Sequence, residues 1–224
     1  MMHQNDCDEE QTYATVCPVK KKNIVPRIIL ASSSPVRKDI LNQLKISYSV
    51  SSSSFKESKK PNRNESFEDF AKRLALGKAK NVASRARNAI VIGADSFAVL
   101  DGEIIGKPHT KKRAIQYLRR LNNRTHEFYT GMALVDSESQ TEVTDYAKAI
   151  VKFRNLTEAE IKEYVEREDV TSAGGAYRIQ GVGTTLIDSI QGDYYAIVGL
   201  SPSKLATMLK TLNRRLFDYI SPLK

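Results

Sequence analysis

A chain of 224 residues with 41% hydrophobic and 27% charged content can bury a full core and does not have the composition of a disordered polymer. Its net charge of +9 favours polyanionic partners, nucleotides or nucleic acids. No apolar run approaches the ~18 residues of a membrane span, and no apolar h-region marks a secretory signal, so no membrane partner is expected.

Positions 1–26 hold Asp6, Asp8, Glu9 and Glu10, then Lys20, Lys21 and Lys22. They read as a disordered or loosely attached extension, too acidic for a usual transit peptide. Cys7 and Cys17 both lie there, which makes neither a disulfide framework nor a metal site and suits a reduced, cytoplasmic setting. Positions 27–224 read as a single domain.

In "RIILASSSPVRKDILNQLKI", residues 27–46, a strand ends at Leu30-Ala31 and Ser32 to Ser34 form a turn. Pro35 suits a first helical turn, with Ser34 as cap. Hydroxyls and unpaired N–H groups at a helix start bind phosphate, and Arg37 or Lys38 can add a charge-assisted bond. An ordinary Ser-Pro cap with surface cations fits the same residues. The Walker pattern is absent.

A polar loop with Glu57 follows, and Ser66 opens a helix with Asp69 at capping-box spacing. Phe67, Phe70, Ala71, Leu74 and Val82 form its apolar stripe, and Lys78 falls on that stripe. Either its stem carries the ammonium out to water or the ammonium meets a buried anion.

Ala89 to Ile92 read as a buried strand, and Gly93-Ala94-Asp95 as its end, where an open α/β sheet places ligands. Asp95 fits a capping role there as well as a functional one. Asp101-Gly102 marks a hairpin between Phe97–Leu100 and Glu103–Ile105, and Pro108 holds Lys107 extended. Thr110 caps a helix to Leu121. Two long antiparallel strands run over His126–Val135 and Thr141–Phe153. Thr157 and Glu160 form a capping box for a helix to about Glu168. Glycine-rich turns around short strands follow, and a last helix begins near Ser201-Pro202. His3, His109 and His126 are scattered and read as surface or hydrogen-bonded residues, so no zinc cluster is expected.

Together the chain offers phosphate donors (Ser32, Ser34, Arg37, Lys78, Lys107) and hard oxygen ligands (Glu57, Asp95), the combination Mg²⁺ prefers. "LASSSPVRKDIL", "RLALGKA", "VIGADS", "GEIIGKP", "FYTGMALV", "AGGAYRIQG" and "IQGDYYAIVGL" occur in the order seen in the Maf family of nucleoside triphosphate pyrophosphatases. The chain resembles that family from about Arg27 to about Leu209. The resemblance implies an α/β fold, an elongated twisted mixed sheet flanked by helices, in two lobes with a central cleft. It implies cleavage of a nucleoside triphosphate to monophosphate and pyrophosphate with a divalent metal cation (Mg²⁺ or Mn²⁺), and suggests a homodimer. It makes Asp95 the proton acceptor and Ser32, Arg37, Glu57, Lys78 and Lys107 polar pocket residues, while the hard-ligand reading of the residues themselves gives Glu57 and Asp95 as metal ligands and Ser34 as a further phosphate donor.

Members similar to dTTP/UTP pyrophosphatases carry Arg, Thr and Gln where this chain has Val36, Ser96 and Gln180. Ser96 keeps the hydroxyl and Gln180 matches, while Val36 departs. Val36 also departs from the 7-methyl-GTP-type members, which show Trp there and Glu in place of Gln180. Gln180 can pair with the O and N–H edge of a pyrimidine, which favours dTTP, UTP or CTP. The alternatives are a 7-methyl-GTP-type pyrophosphatase and a nucleotide-binding regulator of cell division with little turnover. Nucleic-acid binding ranks last, since no reading motif accompanies the charge.

Overall fold

The structure, a computed structural model, describes residues 25–221. The extension read at positions 1–26, with Cys7 and Cys17, lies almost wholly outside the described residues. One seven-stranded mixed sheet forms the frame. β1 (Arg27–Leu30) pairs in parallel with β2 (Tyr48–Val50) on one side and β3 (Ala89–Leu100) on the other. β3 continues antiparallel to β5 (Thr125–Asp136), β5 to β6 (Glu142–Phe153), and β6 to β7 (Ile187–Gly192). β4 (Glu103–Ile105) returns along β3 through the Asp101-Gly102 turn, where both φ values are positive, 52° and 77°.

Successive side chains of a strand face opposite sides, and both faces of β3 are buried. Ala89, Val91, Phe97 and Val99 meet α2 (Phe67–Ala83). Ile90, Ile92, Ala98 and Leu100 meet the larger core, which includes residues of α1 (Pro35–Gln43), α3 (Lys111–Leu121), α4 (Glu158–Arg167) and α6 (Pro202–Thr211). α2 lies very close on the sheet: a Cβ on Gly131 of β5 would stand 2.0 Å from the Ala71 carbonyl oxygen. Small residues there permit the approach.

The local signals hold where chemistry is local. Ser66 Oγ accepts from the Asp69 N–H at 3.0 Å, and Thr157 and Glu160 make the full capping box. Thr110 accepts from the Arg113 N–H and Ser201 from the Lys204 N–H. Ser34 occupies the N-cap position of α1, but its side chain makes no capping bond.

Two expectations are corrected. The strand does not end at Gly93-Ala94-Asp95: β3 runs on to Leu100, and Asp95 sits in mid-strand opposite Gly131. The small residues look like a turn in sequence, yet β5 pairs them continuously and α2 needs the space they leave. The glycine-rich segment after α4 holds one strand, β7. The remainder is two 3₁₀ turns (Gly174–Ala176 and Gly181–Leu186) and a short helix, α5 (Tyr194–Val198). Asp193 accepts from the Tyr195 N–H to start α5, and Gly199 closes it at φ 114°.

Candidate active site

A cleft of about 360 Å³ opens where the sheet is interrupted. β1 stops pairing with β3 at Ile92, and β4 joins only at Ala98. Along that edge, residues Gly93 to Phe97 of β3 have no strand neighbour. Side chains from both faces of the sheet therefore reach one opening. The expected opening at a strand end is there, but the end belongs to β1 and not to β3.

Ser32, Ser34, Val36, Arg37, Glu57, Lys78, Ser96, Lys107 and Gln180 all line this cleft. Of the two cations offered at the start of α1, Arg37 and not Lys38 lines the cleft. Asp95 is outside that lining but joins the group through its ion pair with the ammonium of Lys78, which is in it. Arg178 adds a cation that sequence reasoning missed; the Phe128 and Tyr177 rings in the wall were missed too.

Lys78 resolves its two alternatives. Its side chain is 13% exposed, and Nζ contacts Glu57 Oε1 at 2.8 Å as well as Asp95 Oδ1. The ammonium meets carboxylates and does not reach out to water. A residue in an open polar loop comes to be there because the loop is tied to α2. Asn81 Oδ1 accepts from the Ser54 N–H at 2.9 Å, and the Phe55 ring lies on Gly77, where a Cβ would stand 2.4 Å from it. That contact places Glu57 beside the next residue of the helix, Lys78. No local pattern in the loop announces it.

Arg37 projects from the first turn of α1 into a shell of protein oxygens. Nε donates to the Gly199 carbonyl at 2.9 Å, Nη1 to Ser32 Oγ at 3.0 Å and Nη2 to Ser96 Oγ at 3.0 Å. Burial lowers its pKa, while the charges of Asp95 and Glu57 act the other way. Ser32 Oγ also accepts from the Ser34 N–H at 3.2 Å, so the serine turn and the guanidinium form one hydrogen-bonded unit. Behind the wall, His126 is buried and its Nε2 lies 2.9 Å from the Tyr177 hydroxyl. Burial pushes the His126 pKa down to about 4, so the ring is neutral.

The two carboxylates contact the same ammonium, so two hard oxygen donors lie within reach of one point. That set fits a divalent cation held by one or two carboxylates and completed by substrate phosphates. Among the described residues no group of three or more His, Cys, Asp or Glu could hold a metal alone, nor is any helix long and apolar enough to cross a membrane.

The Maf-like protein family pattern matches residues 27–212. The chain is 42% identical to a dTTP/UTP pyrophosphatase of Dictyoglomus turgidum over 81% of its own length and 94% of that protein. It is 41% identical to a dTTP/UTP pyrophosphatase of Bacillus velezensis, covering 84% and 97% of the two chains. It is also 40% identical to a 7-methyl-GTP pyrophosphatase of Pseudomonas aeruginosa, covering 83% and 96%. Matched along nearly the whole length of these relatives, and by the family pattern over the same span, the chain belongs to the Maf-like protein family.

Proposed function

We propose that the protein is a nucleoside triphosphate pyrophosphatase that cleaves a pyrimidine (d)NTP to the monophosphate and pyrophosphate. The observation that carries this reading is the pairing of carboxylates with a cationic, hydroxyl-rich cleft: Arg37, Lys78, Lys107 and Arg178 line it against Glu57, with Asp95 paired to Lys78. A triphosphate supplies the negative charge such a cleft lacks.

The roles follow from chemistry. Ser32, Ser34, Arg37 and Lys107 hold the phosphate chain by hydrogen bonds and charge. Lys78 pairs with Oδ1 of Asp95 in the free protein, and the Asp95 carboxylate takes the proton of the attacking water. The water oxygen bonds to the α-phosphorus, the bridging P–O bond breaks, and its electron pair leaves with pyrophosphate. Arg37, Lys78 and Lys107 offset the charge that grows on the departing group. Glu57 and Asp95 would hold the divalent cation, Mg²⁺ or Mn²⁺, which when bound neutralises phosphate charge and polarises the phosphoryl oxygens. Preorganised positioning and electrostatics supply most of the acceleration.

Base choice rests on the rim. Gln180 is exposed there and offers an amide to the O and N–H edge of a pyrimidine. Val36 offers neither a guanidinium fork nor a stacking plane. The relatives named dTTP/UTP pyrophosphatase support a pyrimidine substrate, and the one named 7-methyl-GTP pyrophosphatase supports the second reading. Pyrophosphate release measured over a panel of ribo- and deoxyribonucleoside triphosphates tests both. dTTP, UTP or CTP should turn over fastest. Turnover confined to 7-methyl-GTP refutes the pyrimidine assignment, and saturable binding without any release moves the protein to a regulatory role. A homodimer and a cytoplasmic setting belong to the same proposal, and sedimentation and cell fractionation test them.

A further inference from the structure

Thr130 lies in β5 directly opposite Ser96 of β3 and has no solvent exposure. A fully buried hydroxyl in a sheet needs a partner, and Thr130 has two. Its Oγ1 lies 2.6 Å from Ser96 Oγ and 2.6 Å from the Ala196 carbonyl oxygen. Ser96 Oγ in turn accepts from Arg37 Nη2.

The direction of every proton along this line is fixed by its two ends. A guanidinium only donates and a carbonyl only accepts. Thr130 must therefore donate to Ala196, Ser96 must donate to Thr130, and Arg37 must donate to Ser96. Each hydroxyl commits its single proton inside the protein. The Ser96 proton is consequently directed away from the cleft and reads no base edge. The same short helix, α5, thus holds the guanidinium twice: directly through the Gly199 carbonyl at its C-cap, and through Thr130 and Ser96 from Ala196. The carbonyl end of a helix favours a cation.

We infer that Thr130 is a positioning residue for Arg37, acting through Ser96. Two hydroxyls and one helix end fix the plane of the guanidinium, and its remaining N–H groups are free for a phosphate. The inference rests on the reading of Arg37 as a phosphate-binding cation.

The test uses the full-length protein with ¹⁵N-arginine, following exchange of the Arg37 Nε–H, a resonance identified by its loss in Arg37→Lys. Thr130→Val keeps the shape and removes the hydroxyl. It should speed Nε–H exchange about tenfold or more, and Thr130→Ser should stay within about threefold of wild type. Ser96→Ala should give the same acceleration, and the Ser96→Ala/Thr130→Val double variant no more than either single one. Should Thr130→Val fail to fold, Ser96→Ala and Thr130→Ser still decide. Pyrophosphate release adds the second readout: kcat/KM should fall about tenfold in Thr130→Val, with no further loss when the change is made on Arg37→Met. Wild-type exchange in Thr130→Val and Ser96→Ala overturns the inference. So does an equal loss of kcat/KM with and without Arg37. If the wild-type protein releases no pyrophosphate from any triphosphate, the enzyme reading fails, and the exchange rates alone judge the positioning role.

Discussion

Acidification should unfold this protein partly through one residue. His126 sits between Phe153 and Tyr177, with ring centroids 5.2 and 5.6 Å away and both rings edge-on. Its Nδ1 is buried without a hydrogen-bond partner, so a protonated ring gains no second acceptor there. Burial holds its pKa at about 4, against 6.5 for the unfolded chain. The unfolded state therefore takes up the proton first. Stability from this residue is whole above pH 6.5 and is lost as pH falls towards 4. Integrating the two titrations gives a loss of about 2 kcal/mol by pH 5 and about 3 kcal/mol by pH 4. Urea unfolding of wild type and His126→Phe, each from pH 7.5 to pH 5, isolates the term. Phe fits the aromatic cluster and removes the titration, while all other titrating groups cancel in the comparison. The variant starts less stable, because the Tyr177 hydroxyl loses its partner, but it should lose about 2 kcal/mol less on acidification. Equal losses in the two proteins would refute the assignment of a buried neutral ring.

Asp95→Asn should lower pyrophosphate release about 100-fold or more, with thermal unfolding little changed; wild-type-like turnover removes Asp95 from the proton-acceptor role. Gly131→Ala places a methyl 2.0 Å from the Ala71 carbonyl and must lift α2 from the sheet. A cost of about 1–3 kcal/mol in urea unfolding is expected, and an unchanged midpoint would mean that helix and sheet yield freely. Chelation by EDTA should stop turnover and added Mg²⁺ or Mn²⁺ restore it; full activity in chelator excludes the metal role given to Glu57 and Asp95.

What could be read from the chain divides by distance along it. Caps at Ser66, Thr110, Thr157 and Ser201 depend on neighbours three residues away, and each forms as expected. The two long antiparallel strands and the Asp101-Gly102 hairpin are legible for the same reason. Asp95 was recognisable as special but not as mid-strand, because the residues that keep β3 going belong to β5, more than thirty positions on. The Arg37 cradle is less legible still: its partners Ser96 and Gly199 are 59 and 162 positions away. A hydroxyl such as Thr130 inside an apolar strand is the single clue, and it gains meaning only when its neighbours in space are known.

Under the role proposed for Glu57, the Phe55–Gly77 contact bears on how fast the cleft can work. A carboxylate on an unstructured connection would sample many positions and would have to be captured anew by each arriving substrate, losing chain freedom every cycle. Here the phenyl ring and the Asn81 clamp make Glu57 travel with α2 as one rigid piece. The ordering cost is met once, when the polypeptide folds, and no turnover has to repeat it.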